Sequence, residues 1–454
     1  MNIRKVPNSF NLFFEGLSIG TLKILFIYGV GLLLLYGNYF ANQSNLMAFI
    51  IMYVIIFVVA RPKRSISPLS IFYIYYGLWF VVAPLFAERY QGEFLHSVEY
   101  SLAFALAYTL FGLGVLCLRW GENSALVSNG SIYVSRPLSL ARTRFLVFVL
   151  YITSTLLVAL IVLASGGLSV WLTDPGDAFL NRGGSGVFVI LSHFSSLALA
   201  ALSGYLAFRQ RKMLPIFLFL LWVALTSPIH GSKFQISLLT ILLFLPWLRE
   251  LRFFSFHSGV LYASLVGIFF LGLYFRNLAW LEISTIVPYA LNYFTALENL
   301  AVSLRDFEPQ FMFTFFLPFV KFLTPFGLED QSMYFDMNHL LTDIYFPEAW
   351  AIRATEQWPV ETDLYLNFFF FGGLPIFSFY LFFIGWIYGR ALRSNSLGAW
   401  FAAIVMMLFM ISHLRGSLIN HTDFYMYPYI FAMYLIFRSA PIIRSNKSSY
   451  VLQN

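Results

Sequence analysis

Twelve stretches of this chain stay apolar long enough to cross the ~30 Å hydrocarbon core of a bilayer, which takes about 20 residues as α-helix. They lie near 20–40, 45–60, 68–86, 100–118, 143–164, 186–208, 213–229, 234–248, 258–275, 364–388, 397–412 and 424–437. In lipid each backbone amide must be satisfied within its own segment or a closed barrel, and these runs are continuous rather than alternating, which excludes the barrel. Hydrophobic residues make up 59% of the 454 positions and charged residues 11%, which excludes a soluble multidomain protein. The expectation is therefore an all-α polytopic integral membrane protein of about 12 transmembrane helices, with residues 1–454 forming a single transmembrane domain. Arg4 and Lys5 precede the first span like a signal anchor, and YGNYFA at 36–41 lacks a small-residue cleavage pattern, so that span is expected to stay.

The connections between spans sort by charge. On the side holding both termini lie 20 of the 28 Lys and Arg residues, and on the other side 18 of the 21 Asp and Glu residues, leaving Glu15, Glu122 and Glu250 behind. The two faces then carry about +17 and −10. The positive-inside rule assigns the basic face, with both termini, to the cytoplasm. Because the excess charge flanks spans in several separate segments, topology explains it without a nucleic-acid partner. Cys117 stands alone, so the chain offers no internal disulfide and no cysteine metal site. The 53 Phe and 27 Tyr residues read as lipid-facing bulk and interfacial belts.

Residues 277–363 form one long outward segment, far longer than an ordinary connection. It carries an amphipathic helical pattern at 289–305, with Leu291, Phe294, Leu297, Leu300 and Leu304 on one face. An apolar stretch from Phe311 to Leu323 follows, too short to span comfortably and read as interfacial or re-entrant. A polar part leads into the tenth span, so a folded cap on the outer face is expected. No internal repeat of the kind common in secondary transporters is visible.

Motif searching finds no P-loop, dinucleotide fingerprint, HExxH or GxSxG, and His, Asp and Glu do not recur at a metal-ligand spacing. No cofactor and no metal are expected. What remains is a set of ionisable groups at the outer face, where charge beside hydrocarbon is costly and marks functional candidates. Arg182 lies in LTDPGDAFLNRGGSG, Lys233 in the short turn HGSK, Arg276 at the outer end of the ninth span and Arg415 in HLRGSLINHTDF. A bundle can bring four such cations together, and guanidinium forks suit a phosphate or pyrophosphate headgroup. Glycines beside them, including Gly183, Gly231 and Gly416, allow backbone N–H groups near the same anion. The plainer alternative is that each cation snorkels to lipid headgroups. Acid or base candidates are Glu356, Glu361, Asp363, His339, His421 and Asp423, the last two sharing the Arg415 loop region with His413. Each taken singly also fits a solvated loop residue.

Several islands resemble the Wzy-type O-antigen and enterobacterial-common-antigen polymerases of Gram-negative inner membranes. They are RGGSG at 182–186, HGSK at 230–233, ENLAVSLRDF at 298–307, TDLYLNFFFFGGLPIFSFYLFFIGWIYG at 362–389 and LRGSL around Arg415. The chain departs from the family where relatives often carry Gly-Thr-Arg or Gly-Ser-Arg. Here Gly231, Ser232 and Lys233 keep the charge but lose the bidentate fork. The resemblance implies a GT-C-like fold and an inverting glycosyltransferase at the periplasmic face of the bacterial inner membrane. It implies en bloc transfer of a growing glycan from undecaprenyl pyrophosphate onto a new lipid-linked repeat unit. Donor and acceptor are then both lipid-linked, no nucleotide-sugar site is needed, and a chain-length co-polymerase of the Wzz type is the family's usual partner. Under this reading Arg182, Lys233, Arg276, Arg415 and, more weakly, Arg353 bind pyrophosphate, while Glu356, His421 and Asp423 are candidate bases.

Two other activities handle the same lipid. A lipid-linked oligosaccharide flippase would need charged groups lining a passage deep in the bundle, whereas these spans are nearly charge-free. An O-antigen ligase is chemically close and also suits a long outer segment.

Overall fold

The computed structural model describes residues 19–87, 97–127, 138–173, 178, 186–230, 233–276, 282–324, 334–351, 355–394 and 396–442. The described residues are helical, and pairing of extended backbone is confined to two isolated bridges. In chain order the helices are α1 (Ile19–Phe40), α2 (Leu46–Val59), α3 (Pro68–Gly77), α4 (Val98–Val127), α5 (Leu140–Ala164), α6 (Leu168–Thr173), α7 (Gly186–Gln210), α8 (Leu214–His230), α9 (Lys233–Leu248) and α10 (Phe256–Arg276). There follow α11 (Ile286–Asn292), α12 (Ala296–Asp306), α13 (Leu317–Leu323), α14 (Met337–Tyr345), α15 (Pro347–Ala351), α16 (Val360–Phe368), α17 (Leu374–Arg393), α18 (Leu397–Leu414) and α19 (Asp423–Ile436). Among the described residues eight helices are long and apolar enough to cross a membrane, so the protein is a polytopic membrane protein. Three more of the expected spans, at 46–59, 214–226 and 235–248, are apolar helices of shorter length, and α19 has 14 residues.

Local sequence explains where several helices start. Ser67 accepts a hydrogen bond from the Ser70 amide and Pro68 follows it, the side-chain cap and pre-set φ that open α3. Ser139 caps α5 and Asp336 caps α14 in the same manner. Beyond Gly77 the third span widens into a π-helical turn, Leu78–Val82, before continuing as Ala83–Phe86. Pro84 has no amide to give and its ring would meet the carbonyl one turn back, and the wider turn relieves that conflict.

By its internal contacts the chain divides into two compact units. The first comprises Met1–Ser128, Leu251–Gly389 and Met406–Tyr427. Its α1, α2, α3 and α4 pack around an aromatic cluster in which Phe111 touches Phe49, Tyr53, Phe72, Tyr73, Tyr76 and Tyr108. Many rings expected on the lipid face therefore form the core instead. Buried Asn45 satisfies two carbonyls, donating to Leu35 O at 2.8 Å and Ser101 O at 2.9 Å. Helix α4 meets α17 at glycine: a Cβ on Gly385 would lie 2.2 Å from the Leu118 carbonyl oxygen. Such small residues let helices approach in lipid, where no hydrophobic force drives them together.

The second unit comprises Asn129–Glu250, Arg390–Val405 and Pro428–Asn454. Its centre is α7, which packs on α5 and α9 and buries Ser192, Ser195, Ser196, Ala200 and Ser203, with Gly204 set directly against the Leu243 backbone of α9. Trp222 donates to Thr155 at 3.1 Å, and Tyr429 stacks on Phe194 at 4.1 Å.

Within the first unit, the described parts of 277–363 fold into short helices. The single amphipathic helix expected at 289–305 is two, α11 and α12, with a break at Tyr293–Thr295 where the Thr295 hydroxyl donates to the Asn292 carbonyl. Leu297 and Leu300 are buried as the pattern requires. The Phe311 to Leu323 stretch is a 3₁₀ turn plus α13, and it is laid along α16: Met312 N–H donates to Leu366 O at 2.8 Å, and Asn367 exchanges hydrogen bonds with Thr314.

Candidate functional site

Helix α16 starts at Val360, after Pro359 at its N-cap, and places Glu361 and Asp363 in its first turn, where unpaired amides favour carboxylates. Two residues apart on a helix, the carboxylates face different neighbours. Both are fully buried. Glu361 Oε1 accepts a hydrogen bond from the Tyr76 hydroxyl at 2.9 Å, while Oε2 is buried with no partner. Asp363 is used on both oxygens. Oδ2 accepts from Leu418 N–H at 3.0 Å and Oδ1 from the Asn367 amide at 3.0 Å.

Burial governs how these groups titrate. Loss of water pushes Glu361 up to about 7, against smaller opposing effects from its own backbone N–H and from the Tyr76 hydroxyl. The same cause pushes Asp363 up to about 6, opposed by the Leu418 amide and Asn367. A carboxylate titrating near neutrality is suited to accept a proton from an attacking hydroxyl.

Beside α16 runs the connection from α18 to α19, which carries Arg415. Its Nη1 donates to the Tyr293 hydroxyl at 3.0 Å, and the guanidinium lies 5.7 Å from that ring's centroid. Tyr75 donates to the Leu414 carbonyl at 2.5 Å, stacks on Trp79 at 4.8 Å, and lies within electrostatic reach of both Glu361 and Arg415. Trp79 in turn donates to Gln357 at 3.1 Å. Gly416 meets Asn338 of α14 so closely that a Cβ there would lie 2.6 Å from the amide nitrogen.

At the ends of the same connection His413 sits between Tyr380, 2.8 Å from Nδ1, and Asp423, whose two oxygens are each 3.0 Å from Nε2. With Asp423 as a carboxylate, the acceptor-only partner, Nε2–H donates to it and Nδ1 is left to accept from the tyrosine hydroxyl. Asp423 also accepts from Asn420 N–H at 3.0 Å. His421 lies tilted against Phe335 at 4.8 Å, its buried Nδ1 has no hydrogen-bond partner, and burial lowers its proton affinity. His339 and Asp336 pair at 2.8 Å at the start of α14.

The structure thus brings Glu361, Asp363, Arg415 and Asp423 to one end of the first unit, tied to each other's elements by hydrogen bonds. Glu356 lies before α16, half-buried, with its N–H donating to Thr342. Arg182 and Arg353 fall outside the described residues. Lys233 opens α9 and Arg276 closes α10, with their side chains outside the described atoms. Arg415 is therefore the cation of the expected five whose surroundings are defined. Sequence reasoning missed Tyr75, Tyr76, Tyr293 and Tyr380, because 27 tyrosines give no signal for which will meet a charge. Among the described residues no group of three or more His, Cys, Asp or Glu side chains is placed to hold a metal ion. Set against family models, curated proteins and solved structures, the chain matches none.

Proposed function

We propose that the protein is a glycosyltransferase that polymerises undecaprenyl-pyrophosphate-linked oligosaccharide repeat units at the periplasmic face of a bacterial inner membrane. The observation that carries the reading is the buried Glu361, titrating near neutrality with one unpartnered oxygen, on an element tied to the loop of Arg415. In the reaction a hydroxyl on the acceptor's non-reducing sugar attacks the anomeric carbon of the donor glycan. Its proton goes to Glu361, the bond from that carbon to the pyrophosphate oxygen breaks, and the configuration inverts. The departing lipid pyrophosphate gains charge as it leaves, and Arg415 supplies a fixed guanidinium for it. The reading further takes the chain as twelve spans with both termini cytoplasmic, from the hydropathy and the charge asymmetry of its connections, and as GT-C-like, which is what the resemblance implies. A chain-length co-polymerase is the partner this reading carries.

The test is a gel of surface polysaccharide from a deletion strain complemented with wild type, Glu361→Gln or Arg415→Ala, with membrane abundance measured in parallel. A single-repeat band without a ladder, at normal abundance, is the expected outcome for both variants and for the deletion. A ladder intact in the deletion strain removes the reading, and undecorated core in its place points to a ligase or flippase.

A further inference from the structure

The connection between Leu414 and Asp423 is held at three points along its backbone. Tyr75 takes the Leu414 carbonyl, Asp363 takes the Leu418 amide and Asp423 takes the Asn420 amide. Arg415 and Gly416 lie between the first two. Of the two α16 carboxylates, Glu361 keeps an oxygen without a partner, whereas both Asp363 oxygens are engaged, one by this loop and the other by Asn367. Asn367 also accepts from Phe315 N–H at 3.3 Å and exchanges bonds with Thr314, so α16 clamps the 310–316 segment and the Arg415 loop together.

We propose that Asp363 is a positioning residue for Arg415: through the Leu418 amide it fixes the loop so that the guanidinium is set where an anionic lipid pyrophosphate binds. This rests on the polymerase reading for the identity of the anion. The physical ground is that a buried carboxylate is costly to keep unless it is fully hydrogen-bonded, and a charge-assisted bond to a backbone N–H is among the stronger ways to order a loop. A guanidinium held before substrate arrives loses little side-chain freedom on binding. Asp363 thereby acts on substrate through Arg415, and Glu361 alone of the pair is left to touch the reacting hydroxyl.

Asp363→Asn tests this. An amide offers one uncharged acceptor oxygen, so the charge-assisted hold on the Leu418 amide and the Asn367 contact cannot both be kept, and the loop is loosened. The donor kcat/KM is expected to fall by about ten-fold, through kcat as well as KM because Arg415 acts on the departing pyrophosphate, with the pH dependence of the rate kept, whereas Glu361→Gln removes that pH dependence. The double variant Asp363→Asn with Arg415→Ala should bind donor no worse than Arg415→Ala alone. In the absence of substrate, Asp363→Asn should expose the peptide to trypsin cleavage after Arg415 and speed hydrogen exchange at the Leu418 amide. Wild type itself must protect that amide and resist cleavage there, a requirement that stands even if the variant does not accumulate. Unprotected Leu418 in wild type, or additive losses in the double variant, would overturn the inference while leaving the polymerase reading intact. A ladder persisting in the deletion strain would overturn that reading, and with it the assignment of the anion.

Discussion

Two carboxylate settings in the first unit differ in sign. At the end of α12, Asp306 is exposed, pairs with neighbouring Arg305 at 2.7 Å and accepts from Tyr345, and the guanidinium holds it below the usual carboxylate range. At the start of α16, Glu361 and Asp363 are fully buried, their donors are a tyrosine, an amide side chain and a backbone N–H, and burial raises both. The same functional group is fixed as an anion in one place and poised to exchange a proton in the other. What separates them is water and the charge of the partner, not residue type. A surface pair of the first kind contributes little to stability. A buried, raised carboxylate opposes folding once ionised.

The largest expected effect is at Glu361. Glu361→Gln keeps an acceptor for Tyr76 and removes the proton acceptor, so polymerisation should fall by roughly 10²- to 10⁴-fold. The sign for stability runs the other way. A carboxyl whose folded value is raised to about 7 from 4.5 favours the folded state at low pH, and that contribution is lost as pH rises through about 7. The variant should therefore melt higher than wild type at pH 8 and show no such gain at pH 4. Activity retained within ten-fold, or a lower melting point at pH 8, would break the contrast between the two settings.

Next in size is Arg415→Ala, expected to cost on the order of 10²-fold in rate at saturating acceptor if it stabilises the leaving group; a loss confined to protein abundance would count against that role. Smaller again is Tyr76→Phe. Wild-type rate should climb with pH through about 7 and level off, and removal of the Tyr76 hydroxyl, which favours the ionised carboxylate, should move that midpoint upward. A midpoint that stays or falls would separate Glu361 from the titration. The smallest effect belongs to the surface pair: Arg305→Ala should alter stability by less than about 0.5 kcal/mol and leave the ladder normal. A large loss there would show that exposure misjudges the α12 end.

The membrane character was legible because it rests on local pattern. An apolar run of 20 residues has one way to satisfy its backbone in lipid, and α1, α4, α5, α7 and α18 fall where the runs lie. The amphipathic stretch at 289–305 was legible in its face but not in its continuity, since the break at Tyr293–Thr295 depends on contacts the pattern does not contain. Phe313, Phe369 and Phe370 adopt positive φ, which their side chains disfavour. Surrounding structure holds them there, and the sequence offers no sign of it.

For the candidate site the division is similar. The residues before an apolar late span, VETDLY, and the loop HLRGSLINHTDF already marked Glu361, Asp363, Arg415 and Asp423 as ionisable groups beside hydrocarbon. Sequence alone determined that charge sits at this end of the spans, because hydropathy and charge are properties of each segment. Tertiary structure alone decided that Glu361 retains a free oxygen while Asp363 is spent on the Leu418 amide, and that His413 lies between Tyr380 and Asp423. Those roles depend on burial and on partners distant in the chain, 285 positions away for Tyr76 and Glu361, and no local pattern encodes which distant side chain will arrive.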